Sequence, residues 1–108
     1  MAYTHMQLLE TTVFTRQVQA VLSDESYRLL QLVLLLRPDA GALIPGSAGL
    51  RKLRWAAPGR GKRGGVRVVY YWQARRYQIV FLYLYPKNAR STLSAAQLKA
   101  LRAAVDSL

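Results

Sequence analysis

Seven basic side chains stand within the seventeen residues from Arg51 to Arg67: Arg51, Lys52, Arg54, Arg60, Lys62, Arg63 and Arg67. Such residues neutralise a phosphodiester and stabilise the extra negative charge it acquires under attack. RNA cleavage needs little else, because the attacking 2′-hydroxyl already lies next to its phosphate and has only to be aligned. Other chemistries lack their parts. The single histidine, His5, lies at the N-terminus, and the five acids (Glu10, Asp24, Glu25, Asp39 and Asp106) are scattered, mostly where helices cap or chains turn. There is no cysteine, which excludes disulfides and thiolate metal sites. Paired-carboxylate, histidine-based and metal mechanisms are therefore not expected, and Lys, Arg, Tyr and backbone must do any catalysis.

The middle of the basic run is the loop Pro58 to Gly65, Pro-Gly-Arg-Gly-Lys-Arg-Gly-Gly. It contains Gly59-x-Gly61-x-x-Gly64, a formal match to the dinucleotide fingerprint. That fingerprint needs a strand before and a helix after, with an acidic residue downstream for the ribose. Here a strand follows and no acid lies downstream where it could hold a ribose, so the match is rejected. The loop reads instead as a hairpin connection carrying Arg60, Lys62 and Arg63 towards phosphates, its glycines allowing close backbone approach. A merely solvated loop is the bland alternative.

The charge is one-sided over most of the chain. Sixteen Lys and Arg against five Asp and Glu give a formal net charge of +11, and from Ala40 to Val105 there is no acid at all. A solvated surface interleaves both signs, whereas one-signed charge makes a field that attracts polyanions. Nucleic acid, an acidic protein, or both in turn are the expected partners. A generic basic protein of ribosomal type fits the composition equally well. The apolar run Leu29 to Leu36 is too short to cross a bilayer, and no secretory signal opens the chain, so a soluble cytoplasmic protein with no membrane partner is expected. The length of 108 residues suits one domain, residues 1–108.

The elements that must position these side chains follow from periodicity. Gln7 to Phe14 suits a first strand, and Phe14, Val18, Val21 and Leu22 make a helical stripe. Ser23-Asp24-Glu25-Ser26 starts a second helix with a cap and two acids in the first turn, and Pro38 stops it at Arg37. Asp39 to Gly49 reads as loop. Leu50 to Ala57, Val66 to Gln73 and Tyr77 to Tyr85 read as three strands of an antiparallel meander. Ser94-Ala95-Ala96-Gln97 has the spacing of a capping box and opens a closing helix through Leu98, Leu101 and Val105. The expected fold is α+β: strand, two helices, three strands, helix, with the helices on one face of an antiparallel sheet. The hairpin of the first two meander strands brings their basic residues together, with Arg54 and Arg67 candidates for a facing pair. Like charges opposed across a sheet are destabilising, and such a cluster implies a compensating anion.

Gly49-Leu50-Arg51-Lys52-Leu53-Arg54, then Gly59 to Tyr71, then Leu84-Tyr85-Pro86-Lys87-Asn88, resembles the RelE/HigB toxins of the RelE/ParE superfamily. The long Gly/Lys/Arg loop and the Tyr-x-Lys-Asn element resemble the HigB branch, as does the helix from Leu22 to Leu29. The resemblance covers nearly the whole chain and implies a toxin of a type II toxin-antitoxin system. In that family the toxin cleaves mRNA in the ribosomal A site without metal or other cofactor. A cognate antitoxin, acidic or of a helix-turn-helix HigA-like kind, neutralises it; contact with DNA is indirect, through the antitoxin complex. Residue by residue, Lys52 and Arg54 match the basic pair on the second strand, and Arg67 matches the arginine opening the third strand, which contacts the scissile phosphate. Lys87 matches the lysine after the fourth strand. Arg51, Lys52, Arg60, Arg63, Asn88 and Arg90 are then expected to hold mRNA or rRNA. Asn88 stands where the RelE pattern has an arginine, and Ser94 or a neighbour where it has a late tyrosine. The base that takes the 2′-hydroxyl proton therefore falls among Lys62, Lys87 and Tyr85. A lysine in that role acts as the free amine, a form favoured by nearby cations.

Two other functions compete with this one. A ParE-like toxin has the same fold and inhibits DNA gyrase, but does not need the dense basic cluster. A non-catalytic RNA-binding module would bind with strong salt dependence and leave the RNA intact.

Overall fold

A computed structural model describes residues 5–56, 65–87 and 93–108. Strand β1 (Gln7–Glu10) is followed by helices α1 (Thr12–Val21) and α2 (Asp24–Leu36). Strands β2 (Ala42–Leu43), β3 (Leu50–Trp55), β4 (Val66–Gln73) and β5 (Gln78–Pro86) follow, then helix α3 (Ala95–Asp106). The five strands form one sheet in the order β1-β5-β4-β3-β2.

Each helix begins where a hydroxyl accepts a free amide. Thr11 accepts from the Phe14 amide at 3.1 Å and Ser23 from the Ser26 amide at 3.1 Å. Ser94 and Gln97 complete the expected capping box in both directions. The Thr11 cap also corrects the first strand, expected to run to Phe14. It ends at Glu10, because the cap turns the chain into α1 and buries Phe14 against the sheet.

Three further differences from the expected fold are long-range in origin. The sheet is mixed: β1 runs parallel to β5, with Gln7 opposite Gln78 and Glu10 opposite Phe81. The segment expected as loop holds β2, which pairs Ala42 with Lys52 and Leu43 with Arg51. The helices lie on both faces rather than one. Phe14 and Val18 of α1, with Leu30 and Leu34 of α2, pack with Val66, Val68, Tyr70, Ile79 and Phe81. Leu98 and Val105 of α3 pack on the other side, with Leu50, Val69, Val80 and Leu82. Strand alternation requires both layers, since β4 and β5 carry apolar residues on both faces.

One irregularity decides what faces where. Val69 pairs with Tyr83 but Tyr70 pairs with Phe81, so Leu82 is an extra residue, a β-bulge. Leu82 and Tyr83 consequently share the α3 face, and every later residue of β5 is rephased, with Leu84 facing α1 and Tyr85 facing α3. The outer edge of β5 beyond β1 is completed by side chains. Thr11 Oγ1 donates to the Leu82 carbonyl at 3.2 Å, and Gln17 Oε1 accepts from the Leu84 amide at 2.8 Å.

On the α1/α2 face, the Tyr70 hydroxyl donates to the Pro38 carbonyl at 2.7 Å and accepts from the Gly41 amide at 2.8 Å. A Cβ on Gly41 would lie 2.7 Å from Cε1 of Tyr70, so the glycine is required by close approach. At the β1–α1–α2 junction Glu10 accepts from Thr15 and Tyr27 hydroxyls. Burial, and then the neighbouring Glu10 carboxylate, push the Tyr27 hydroxyl well above its usual range, so it remains a donor.

Candidate nucleic-acid interface

Strand register places the basic residues. On β3 and β4, Lys52 opposes Val69, Arg54 opposes Arg67, and Trp55 opposes Val66. Val69 belongs to the α3-side core and Val66 to the α1/α2 side, so alternation puts Lys52, Arg54 and Arg67 on the α3 face. On the far side of Arg67 stands Tyr85 of β5. A row of Arg54, Arg67 and Tyr85 thus crosses three neighbouring strands, with Lys52 one pleat further along β3. Directly opposed residues have Cβ atoms roughly 4.5–5.5 Å apart, so the two guanidinium groups reach the same bound group.

Helix α3 leaves this end of the sheet open. Arg102 stacks over the Tyr71 ring at 4.5 Å, donates to the Ala48 carbonyl at 3.1 Å and pairs with Asp106 at 3.1 Å. Those contacts hold α3 over the Leu50–Tyr71 end. At the opposite end Arg54 is exposed and Arg67 half-buried, while Tyr85 is only 4% exposed. The Arg102–Asp106 pair is the one ion pair among the described residues, so Lys52, Arg54 and Arg67 face no carboxylate there. A row of unneutralised cations on a rigid sheet, next to a buried phenol ring, is suited to a phosphodiester.

Other candidates fall elsewhere. Arg51 points to the opposite face, where its guanidinium donates to the Gly41 carbonyl at 2.8 Å and the Asp39 carbonyl at 3.3 Å. It braces the turn around Tyr70 and does not join the row. Lys87 is exposed just past the end of β5, and its amide donates to the Gly65 carbonyl at 3.0 Å, tying the β4 entry to the β5 exit. Arg60, Lys62, Arg63, Asn88 and Arg90 lie outside the described residues.

Two contributions to the site have no signature in the sequence. The bulge at Leu82 is what turns Tyr85 towards Arg67, and bulges are set by partner strands rather than by a residue motif. Gln17 reaches the Leu84 amide, one residue from Tyr85, across 67 positions of chain.

A family profile described as "RelE toxin of RelE / RelB toxin-antitoxin system" matches residues 6–108. Among solved structures, the chain is similar to a double arginine-to-alanine mutant of the E. coli toxin RelE in the free state. The TM-score is 0.61 with 14% identity, over 92% of this chain and 98% of that one. At that identity the likeness is one of fold. Within the described residues, no helix is long and apolar enough to cross a membrane.

Proposed function

Because the chain belongs to the RelE toxin family, we propose that it acts as a ribosome-dependent endoribonuclease of the HigB-like kind, cleaving mRNA in the A site in the cytoplasm. The observation that carries this reading is the row of exposed Arg54, half-buried Arg67 and buried Tyr85 on the α3 face, with no carboxylate against it among the described residues. The chemistry is transesterification. The 2′-oxygen forms a bond to phosphorus, the bond from phosphorus to the 5′-oxygen breaks, and the products are a cyclic phosphate and a 5′-hydroxyl. Negative charge grows on the non-bridging oxygens, where Arg67 and Arg54 meet it in a geometry held by the sheet before substrate arrives. The opposed arginines repel each other when the site is empty; a bound phosphodiester offsets one of the two charges and the dianionic phosphorane both, so the pair favours the reacting state over the bound substrate.

Tyr85 is nearly covered, which favours a positioning role over proton transfer. Lys87, exposed at the strand exit beside the β4 entry, is the proposed base. The ribosome orders the mRNA, which this small surface alone does not enclose. The partner is an antitoxin. The acid-free stretch from Ala40 to Val105 gives it a cationic face to cover, and Leu29, Leu32 and Leu36 leave an apolar stripe on the outer side of α2.

Primer extension on ribosome-engaged mRNA tests the proposal. New stops inside the reading frame are expected, absent without ribosomes and reduced about a hundredfold or more by Arg67→Ala. Intact mRNA with folded protein would refute cleavage; loss of gyrase activity instead would indicate a ParE-like toxin.

A further inference from the structure

Helix α2 is apolar on two sides. Leu30 and Leu34 are buried in the core, while Leu29, Leu32, Leu35 and Leu36 are exposed, Leu36 by 82%. Spacings of three and four put these four leucines on one outer stripe. Single exposed leucines are ordinary, but a contiguous row marks a surface that a partner covers. The charges around the row point to the partner. From Asp24 to Arg37 there are two acids and two arginines, so the segment has no net charge on a chain that carries +11. Asp24 and Glu25 stand at the start of the helix and Arg37 at its C-cap, all exposed. Arg102–Asp106 is the one ion pair among the described residues, so the charges of α2 are not paired within the chain.

An acidic partner is drawn to the cationic α3 face and finds no net attraction on α2. A second copy of this chain finds a matching surface there. In a two-fold contact each copy offers the same patch, which must therefore complement itself. Antiparallel α2 helices meet that condition. With Leu29 facing Leu32 of the second copy, Glu25 comes beside Leu36 and Arg37 at the far end of the other helix. Parallel helices would set acids against acids. We propose that two copies of this chain pair through the α2 stripe, antiparallel, about a two-fold axis near the middle of the helix. Helices α1 and α2 cover the face of the sheet opposite the arginine row, so the pair is back to back and both rows stay open. Turning the rows outward also keeps the two excesses of positive charge apart. The pairing leaves the cationic face to the antitoxin and does not depend on whether the chain cleaves RNA. Contact along one helix, about 20 Å long, is at the small end of stable interfaces, so a dissociation constant on the order of 10 µM is expected.

Sedimentation velocity on the folded full-length protein, freed of nucleic acid and run across a concentration series spanning that value, tests the pairing. Wild type should pass from monomer to dimer. The dimer should persist at about 0.5 M salt, where a pair bridged by residual RNA dissolves. Leu32→Glu, which sets a charge in the middle of the stripe, should weaken pairing about tenfold or more. Glu25→Arg and Arg37→Glu should each weaken it too, because like charges then meet at both ends. A mixture of those two variants should dimerise about as tightly as wild type, since every end again joins an acid to an arginine. Recovery in the mixture also shows that both variants are folded. A protein that stays monomeric throughout would overturn the proposal, as would a dimer that Leu32→Glu leaves intact. Failure of the two charge variants to pair with each other would overturn the antiparallel order. A monomer whose binding to antitoxin is lost with Leu32→Glu would assign the stripe to the antitoxin instead.

Discussion

Arg54 and Arg67 are directly opposed on neighbouring strands, and the tertiary structure supplies no carboxylate between them among the described residues. Like charges in that relation weaken a sheet. On the proposed function a bound anion compensates this pair, so stability and function are expected to pull apart at this position. Arg54→Gln should raise thermal stability slightly, by a few tenths of a kcal/mol given the solvent screening at an exposed side chain. It should at the same time lower ribosome-dependent cleavage about tenfold or more. Calorimetry and primer extension on the same preparation check both signs. A variant that loses stability would show that Arg54 is a structural residue. Arg51, three residues earlier, shows the contrast. Its contacts with the Gly41 and Asp39 carbonyls are structural, although in sequence it is indistinguishable from its neighbours.

Strand β5 is the element on which the site depends. Its bulge at Leu82 turns Tyr85 onto the α3 face, and its outer edge has lost β1 as a partner by that point. Thr11 and Gln17 of the α1 segment supply the missing hydrogen bonds. Leu84 is 2% exposed, so the amide held by Gln17 has little recourse to water. Gln17→Ala should cost about 1–3 kcal/mol, the penalty for an unsatisfied buried group. It should also loosen β5 around Tyr85, so cleavage falls further than stability alone explains. Hydrogen exchange at Leu84 reads the local effect. Protection equal to wild type would place the strength of that edge in packing rather than in the side-chain bond.

At the scale of the molecule, the net charge of +11 is not spread evenly over the fold. Lys52, Arg54 and Arg67 gather on the part of the α3 face that α3 leaves open. Three phosphate contacts on single-stranded RNA predict that log K falls with log salt at a slope of about −2 or steeper, near −0.7 per contact. Arg54→Gln should flatten the slope by about 0.7, whereas substitution of Arg51 to Gln should leave it unchanged, because Arg51 faces the other way. Fluorescence anisotropy between 50 and 200 mM salt, a span over which such contacts lose orders of magnitude in affinity, separates the two. An equal change in both variants would mean that a diffuse field binds RNA, not the row.

Residue types alone carried the expectation of charge stabilisation, from many cations, few scattered acids, one histidine and no cysteine. Helix starts at Ser23 and Ser94 and the cores of β4 and β5 were legible too, because caps and alternation are local signals. What needed the folded chain was every relation between distant segments. These include the parallel pairing of β1 with β5, the placing of α3 on the face opposite α1 and α2, and the separation of Arg51 from Lys52 and Arg54. The bulge that brings Tyr85 to Arg67 belongs with them. Sequence periodicity shows that a residue lies on one of two faces, but which face becomes a site depends on what packs against the other, and that is settled only when the whole sheet is assembled.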